Sequence, residues 1–500
     1  MIGRGTAIGA GLAPAREARR IRQGERIHVV GAAGAGASAA ALLGHYSGAA
    51  VDGCDPGGAS PYTPALDAVG ITVAPAHDPA HVTISPHPER LAVTKALTAI
   101  DPDHPELVAA RDAGIPVEPW QQVVADAAFG KRLVAVAGTH GKSTTAGWLT
   151  HVLAASGADP SAFVGALMGP ELTAGGPATA RQGGGDVFVV EADEYAGNFD
   201  SFRPSVAAVT SIDWDHPDVF ADRSAVEATF SAWLRAATVG RPAPILVANV
   251  SDDGVRELLT SLGDWPGRVI RVSSGGRRDA DISGKVVTRG RDGTTIDVAG
   301  LGGIDASRRI TLPTAGRHNV ANALVVAATA DALALSGDAI ALGLASFGGV
   351  GRRLERKGEA AGVVVYDDYG HHPTAIRATI EAIRQREPSR RIWAVYEPLT
   401  YHRTAAFLGA FAEALATADA AAIADIWAGR DRDRTIVSAE LLATAIAKRR
   451  PEIPIGAPGS PEATAEWLAT QVRPGDAVLV MGGGRSYRIG ERLLETLEQR

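Results

Sequence analysis

Seven residues raise the first chemical question. Gly138, Thr139, His140, Gly141, Lys142, Ser143 and Thr144 follow the apolar run LVAVA and precede a stretch with helical spacing. A loop between a strand and a helix aims backbone N–H groups at phosphate. Its lysine pairs with the β- and γ-phosphates, and a hydroxyl reaches Mg²⁺. Lys142 and Ser143 occupy those places. The usual spacing puts four residues between the two glycines, whereas here Thr139 and His140 alone separate Gly138 from Gly141. Two residues still turn the chain, so shortness alone does not break an ATP site; a chance Gly-Lys-Ser in a glycine-rich chain is the other reading, and the strand before and helix after weigh against it.

A triphosphate site needs a divalent cation, with ligands at the ends of neighbouring strands. VVEADE carries Glu191, whose carboxylate suits Mg²⁺ together with Ser143. VTSIDWDH ends in Asp213, Asp215 and His216. His216 fits a second, Mn²⁺-tolerant position or, equally, a buried or capping histidine. GRHNVANA (316–323) opens a helix. The amides of Asn319 and Asn322 suit an adenine edge, although Asn319 on its own reads first as an N-cap. Farther along, Arg353 of GVGRRLE can neutralise charge on a transferring phosphoryl group. VYDDYGHHPTAI supplies Asp368 to order water or a ribose. It also supplies the pair His371 and His372, which reads as either a site feature or a solvated loop.

A second glycine cluster stands near the N-terminus. VVGAAGAGASAAALLG (29–44) spaces Gly31, Gly34 and Gly36 as GxxGxG, with Ala35 between the last two. Such a turn lets the backbone approach a pyrophosphate and leaves helix N–H groups to bind it. Asp55 follows the next apolar stretch, where a ribose contact would lie. The order differs from GxGxxG, so three readings stay open: a nicotinamide dinucleotide, a different diphosphate ligand, or an unliganded turn.

These residues need parallel strands to hold them. Eight short apolar runs (26–31, 133–138, 186–193, 205–213, 243–249, 362–368, 391–397 and 476–484) alternate with Ala/Leu-rich helical stretches. That is the pattern of α/β proteins, whose ligands gather beyond the C-terminal strand ends. Residues 265–312, rich in Gly, Arg and Thr, read as a small β section. With 46% hydrophobic and 21% charged residues, 500 residues suffice for several cored domains. The charge, 49 − 56 = −7, argues against a nucleic-acid partner. The single cysteine, Cys54, suits a reducing compartment. Residues 1–25 hold Arg4, Arg16, Arg19, Arg20 and Arg22 but no apolar core of a signal peptide, and read as a disordered extension. No run of 18 apolar residues predicts membrane insertion. The oligomeric state is not legible.

In order and approximate spacing, GTHGKSTT, EADE, DWDHPD, GRHNVANA, GVGRRLE and DDYGHHPTAI resemble the motifs of the Mur ligases over about 26–490. The shortened loop is that family's ordinary form. The resemblance implies three α/β domains: a Rossmann-like UDP-binding domain (26–130), a central P-loop ATPase domain with a parallel sheet (131–347) and a C-terminal Rossmann-like ligase domain (348–500). It implies a cytoplasmic, ATP-dependent carboxylate–amine ligase with Mg²⁺ or Mn²⁺. Its reaction would join L-alanine to the lactyl carboxylate of UDP-N-acetylmuramate through an acyl phosphate, in peptidoglycan synthesis. By motif, Gly31, Gly34, Ala35, Gly36 and Asp55 would hold the UDP portion. Residues 138–144 with Asn319, Asn322, Arg353 and Asp368 would hold ATP. Ser143, Glu191 and His216 would hold metals, and Tyr369, Tyr401 and Arg403 the amino acid. Lys142, Arg353, His371 and His372 would act in catalysis. Other Mur ligases use a carbamylated lysine in the central domain, but no lysine lies between Lys142 and Lys285. The family's Gln-Pro-His-x-Tyr-x-Arg stretch reads EPLTYHRT (397–404) here, with Glu397 and Leu399 in place of Gln and His. EADEY leans toward the related ligase that recycles murein tripeptide. A non-catalytic Mur-like nucleotide-binding protein is the other alternative.

Overall fold

A computed structural model describes every residue except 1–7, 174, 277–278, 304–305, 430, 432 and 500. Among the described residues, all eight apolar runs form strands, and the polar residues trailing them become loops. Three sheets result.

The first sheet comprises β1 (Arg26–Val30), β2 (Ala50–Cys54), β3 (Val73–Ala74), β4 (Arg90–Val93) and β5 (Val117–Pro119). All are parallel, in the order β3-β2-β1-β4-β5. Strand alternation splits β1 between two faces. Ile27 and Val29 pack with the helices Ala35–Tyr46 and Trp120–Ala127, while Val30 packs with Cys54, Val82 and Leu107 on the other side. The strand order reverses between β1 and β4, the crevice in which open α/β sheets take ligands.

Residues 8–25 depart from the expected disordered extension, because they are packed on this sheet's edge. Arg16 donates to Glu118 at 2.7 Å and to Asp126 at 2.8 Å, and Arg19 donates to Glu25 at 2.6 Å. Ile21 enters the core. The physical reason lies in three buried carboxylates, Glu25, Glu118 and Asp126, which already share the buried Arg90. One guanidinium cannot balance three carboxylates out of water, so the N-terminal arginines serve as counter-ions. Residues 1–7 lie outside the described residues.

The central sheet comprises β6 (Arg132–Ala137), β7 (Ser161–Met168), β8 (Ala178–Arg181), β9 (Val187–Ala192), β10 (Val206–Val209), β11 (Ile245–Asn249), β12 (Val269–Ser273), β13 (Ile282–Gly290), β14 (Gly293–Ala299) and β15 (Ser307–Leu312). β6 lies between β9 and β10 and is parallel to both. The Gly/Arg/Thr-rich section forms β12 to β15 and continues this same sheet, turning antiparallel from β13 onward. The helix Arg317–Ala332 is apolar nearly all round because it is covered nearly all round.

The third sheet comprises β16 (Glu355–Ala360), β17 (Val363–Asp368), β18 (Arg391–Tyr396), β19 (Ala420–Ala424), β20 (Ile455–Gly459) and β21 (Asp476–Met481). Its order is β16-β17-β21-β18-β19-β20, with β16 antiparallel at the edge. The sequence AAAIA in β19 favours helix by propensity. Burial between two helical layers overrides that preference, so the sequence pattern does not announce the strand. Among the described residues no helix is long and apolar enough to cross a membrane.

Candidate active site

The loop after β6 turns through Gly138 and Gly141, at φ 139° and 83°. Both glycines are required for space as well. A Cβ on Gly138 would lie 2.1 Å from Thr210 Oγ1, and one on Gly141 would lie 2.5 Å from Asn322 Oδ1. The neighbouring loop after β10 seats the turn. Thr139 N–H donates to the Ser211 carbonyl (2.8 Å) and His140 N–H to Ser211 Oγ (3.0 Å). The helix Lys142–Ala155 then presents its unpaired first-turn N–H groups to the cleft.

Charged groups converge on that helix end. Lys142 Nζ donates to Glu194 at 2.9 Å and lies 3.2 Å from Asp193. Burial alone would lower the ammonium's pKa, but Glu194 and Asp193 outweigh it and hold it above the ordinary lysine range. Burial pushes the Glu194 carboxyl up to about 7, with Lys142 resisting. Ser143 Oγ donates to Glu191 Oε1 (2.9 Å), and Glu191 Oε2 accepts the Gly165 N–H (2.6 Å). From the turn before β16, Arg353 reaches across to donate to Ser143 Oγ at 2.8 Å, lying over the Tyr369 ring. Its Nε is buried with no protein partner.

Two cavities meet at this loop. One, of about 310 Å³, is lined by Thr144, Asn249, His318, Asn319, Asn322, Phe347 and Asp368. The other, of about 420 Å³, is lined by Gly36, Trp120, Lys142, Ser143, Glu191, His216, Tyr369, His371, Leu399 and Arg403. His140, Gly141 and Arg353 line both. The first offers amides, a phenyl ring and an imidazole, a setting for a nucleoside. The second offers cations, carboxylates and imidazoles, a setting for reacting groups.

Several expected residues take more specific places. Asn319 does not accept a helix-capping bond; its amide donates to the Ala315 carbonyl (2.8 Å) and its oxygen accepts from Asn322 (3.1 Å). Asp368 takes the backbone N–H groups of Leu354 and Gly370, both at 2.8 Å, so it shapes the turn that carries Arg353. The histidine pair divides. His372 accepts the Thr374 N–H at Nδ1, capping the helix Pro373–Arg386, and donates from Nε2 to the Trp214 carbonyl. Both nitrogens are thereby committed, which removes it as a proton acceptor. His371 donates from Nδ1 to the Tyr369 carbonyl (2.9 Å), leaving the Nε2 lone pair toward the second cavity. Burial first, then the Arg403 guanidinium, hold the His371 pKa well below the ordinary range, so the imidazole is neutral.

Arg403 is not a free carboxylate receptor. It is 3% exposed, pairs with Asp215 at 2.8 Å and donates to His216 Nδ1 at 3.1 Å. Its burial leaves Asp215 as the nearest counter-charge, so a bound carboxylate must share it. Because Arg403 can only donate, His216 carries its proton on Nε2. His216, Asp193 and Glu194 nevertheless bring ligand atoms within 4.8 Å of one another. Tyr401 starts the helix Tyr401–Ala406 and is not among the residues lining the second cavity.

On the first sheet, Gly31 turns at φ 80° and Gly34 precedes the helix beginning at Ala35. Gly36 faces the second cavity, where a Cβ would lie 2.2 Å from the Trp120 ring. Asp55 accepts the Ala33 and Gly57 N–H groups at 3.0 and 2.8 Å, so it braces the glycine turn from behind. Sequence reading missed Trp120, Asp193, Glu194, His318 and Phe347. Of these, only the acids had a visible signal, two carboxylates directly beyond the strand carrying Glu191.

Comparison with known proteins agrees with this layout. Residues 26–132 match the family model "Mur ligase family, catalytic domain", 136–330 "Mur ligase middle domain" and 352–484 "Mur ligase, glutamate ligase domain". The chain is 37% identical over 505 residues to the UDP-N-acetylmuramate–L-alanine ligase of Frankia casuarinae, covering 95% of this chain and 98% of that one. It is also 37% identical over 481 residues to the ligase of the same name from Kineococcus radiotolerans, with 95% and 97% covered. Among solved structures, the fold resembles UDP-N-acetylmuramate–alanine ligase from Thermotoga maritima (TM-score 0.76, 23% identity, 95% of this chain and 99% of that one). It also resembles a murein peptide ligase from Psychrobacter arcticus (TM-score 0.71, 24% identity, with the same coverages). With three successive family matches spanning the three sheets and a relative identical at more than a third of positions over nearly its whole length, the chain belongs to the Mur ligase family.

Proposed function

We propose that this enzyme is the ATP-dependent ligase joining L-alanine to the lactyl carboxylate of UDP-N-acetylmuramate, an early step of peptidoglycan synthesis. The observation that carries this reading is the wall shared by the two cavities. A nucleoside in the first cavity and a carboxylate in the second would meet at His140, Gly141 and Arg353, where a γ-phosphate must lie.

In this reading the lactyl carboxylate attacks the γ-phosphorus in line, giving an acyl phosphate and ADP. Lys142 and Arg353 face the charge that develops on the phosphoryl oxygens; a contact of this type is worth about 3–4 kcal/mol by deletion. The alanine amine then attacks the acyl carbon, phosphate leaves, and the amine proton passes to a base. His371 Nε2 is the acceptor we assign. The UDP diphosphate rests on the helix end at Gly34 to Gly36, and Tyr369 and Arg403 border the amino acid. A divalent cation fits the oxygens of Ser143 and Glu191; a second beside Asp193 and Glu194 would gain His216 only if the Arg403 contact opened and the ring proton moved from Nε2 to Nδ1; bound there, such ions would supply charge neutralisation. Contacts between the third domain and the central domain, through Arg353, Arg403 and His372, exclude water from the acyl phosphate.

Mass spectrometry after incubation with ATP, Mg²⁺ and UDP-N-acetylmuramate tests this, given a mixture of amino acids and murein tripeptide. The expected product carries one alanine. A product carrying tripeptide, with free alanine ignored, would replace the reading with a recycling ligase; no product at all would leave a nucleotide-binding protein. Glu191→Ala should raise the Mg²⁺ concentration needed for half-maximal activity, and an unchanged metal titration would remove it as a ligand.

A further inference from the structure

Behind the glycine turn of the first domain lies a cluster of side chains that the reaction does not use. His28 (β1), Cys54 (the end of β2), His81 (helix Ala80–Thr83) and Glu106 (helix Pro105–Asp112) bring one ligand atom each within 4.8 Å of all the others. They lie on the sheet face opposite the helix Ala35–Tyr46. His28, Cys54 and Glu106 are almost wholly buried. We propose that these four residues form a structural metal site for zinc or a similar thiophilic divalent ion.

The four ligand atoms are close enough together to surround one ion. Metal–ligand bonds of about 2.0–2.3 Å imply ligand–ligand edges of about 3.3–3.8 Å. Cys54 Sγ lies 3.2 Å from Glu106 Oε2, and His28 Nε2 lies 3.8 Å from the same oxygen. His81 Nδ1 lies 2.6 Å from the other carboxylate oxygen, Oε1, a hydrogen bond that metal binding would replace as the ring moves out to an edge of about 3.3 Å or more. The tautomer of His28 is already set. Its Nδ1 lies 2.7 Å from Asp52 Oδ1 and donates to it, which leaves the Nε2 lone pair facing the cluster. That nitrogen is buried with no hydrogen-bond partner. A carboxylate behind the distal nitrogen of a metal-binding histidine is the usual way such a ligand is oriented.

Charge also closes. On metal binding the Cys54 thiol gives its proton to solvent; a thiolate, a carboxylate and two neutral imidazoles then leave a divalent ion with no net charge, as a dry site requires. His77, four residues before His81, lies 3.1 Å from Cys54 Sγ and can donate to the thiolate. The Cys54 carbonyl accepts the N–H groups of Gly31 (2.8 Å) and Ala32 (3.1 Å), so the metal would stiffen the diphosphate turn from behind.

Cobalt substitution tests the site without interference from the active-site acids, because Cys54 is the chain's only thiol. Protein stripped of divalent ions is titrated with Co²⁺ and followed for the thiolate-to-cobalt charge-transfer band. The band should saturate at one equivalent and disappear when Zn²⁺ is added. Cys54→Ser should abolish it, while Glu106→Gln and His81→Ala should each shift the visible absorption of tetrahedral cobalt. No band in the wild-type protein would overturn the proposal, whether or not any variant folds. A band left unchanged by both Glu106→Gln and His81→Ala would overturn it equally.

Discussion

The chain builds the same local device twice, a strand, a glycine turn and a helix N-terminus, at Gly31–Gly36 and at Gly138–Gly141. The first relies on backbone: no charged side chain stands within the turn, Asp55 braces it from behind, and Trp120 covers it. The second is ringed by charge, with Lys142 between Glu194 and Asp193, Ser143 on Glu191, and Arg353 arriving from another domain. Backbone N–H groups and a helix dipole are enough to hold a diphosphate. Moving a phosphoryl group needs charge that responds as bonds change. The difference between the turns lies in what adjacent strand ends carry, β9 and β10 in one case and β2 and β4 in the other.

The largest break should come from Lys142→Ala. Turnover is expected to fall by two or more orders of magnitude, about 3 kcal/mol, while calorimetric affinity for UDP-N-acetylmuramate stays as it was. Activity within about threefold of wild type would mean that charge at the second turn is dispensable.

Acid should also act on the second turn, where His372 lies tilted against His140, with ring centroids 4.7 Å apart. Burial, then His140, lower the His372 pKa from 6.5 to about 4. The fold therefore favours the neutral ring. Its stabilisation is complete above pH 6.5 and drains as pH falls toward 4, by roughly 3 kcal/mol in total. His372→Asn keeps a capping acceptor but cannot titrate, so its melting temperature should fall less steeply over that window. Equal slopes in the two proteins would discard this account.

Gly36→Ala tests the first turn. The added methyl strikes a Trp120 ring that is itself held edge-on against Phe163. Overpacking of this kind costs about 1–3 kcal/mol. Steady-state kinetics should show a higher KM for the UDP substrate and an unaltered KM for ATP; equal changes in both would erase the distinction between the turns. The smallest effect concerns the rim of the second cavity. Leu399→His places a hydrogen-bonding group where the proposed function puts the amino acid and should lower the KM for alanine by less than about fivefold, roughly 1 kcal/mol. A raised KM would show that leucine is the better fit here.

Legibility in the sequence followed the range of the interaction. Both glycine turns could be read because glycine spacing and the flanking apolar run are local. Glu191 followed from its place at a strand end. Trp120 could not be read, since it meets Gly36 only after the chain has built β2 to β5. The roles of His371 and His372 were equally hidden: adjacent in sequence, they differ in which carbonyl each ring reaches. The His28–Glu106 cluster draws one residue from each of four elements and leaves no motif beyond the His77–His81 spacing. Arg403 looked like a receptor for substrate because its buried partner, Asp215, sits in another domain.

The N-terminal arginines bear on how this protein is handled. Glu25, Glu118 and Asp126 face Arg90 from within the fold and Arg16 and Arg19 from its border. A chain trimmed to begin at the first strand would discard two of those three guanidiniums along with Ile21 and Glu25, leaving the buried Glu118 and Asp126 to share Arg90 alone. What looks like a dispensable leader is thus a clasp, and a trimmed protein should need acid, which neutralises carboxylates, to regain part of what the cut removed.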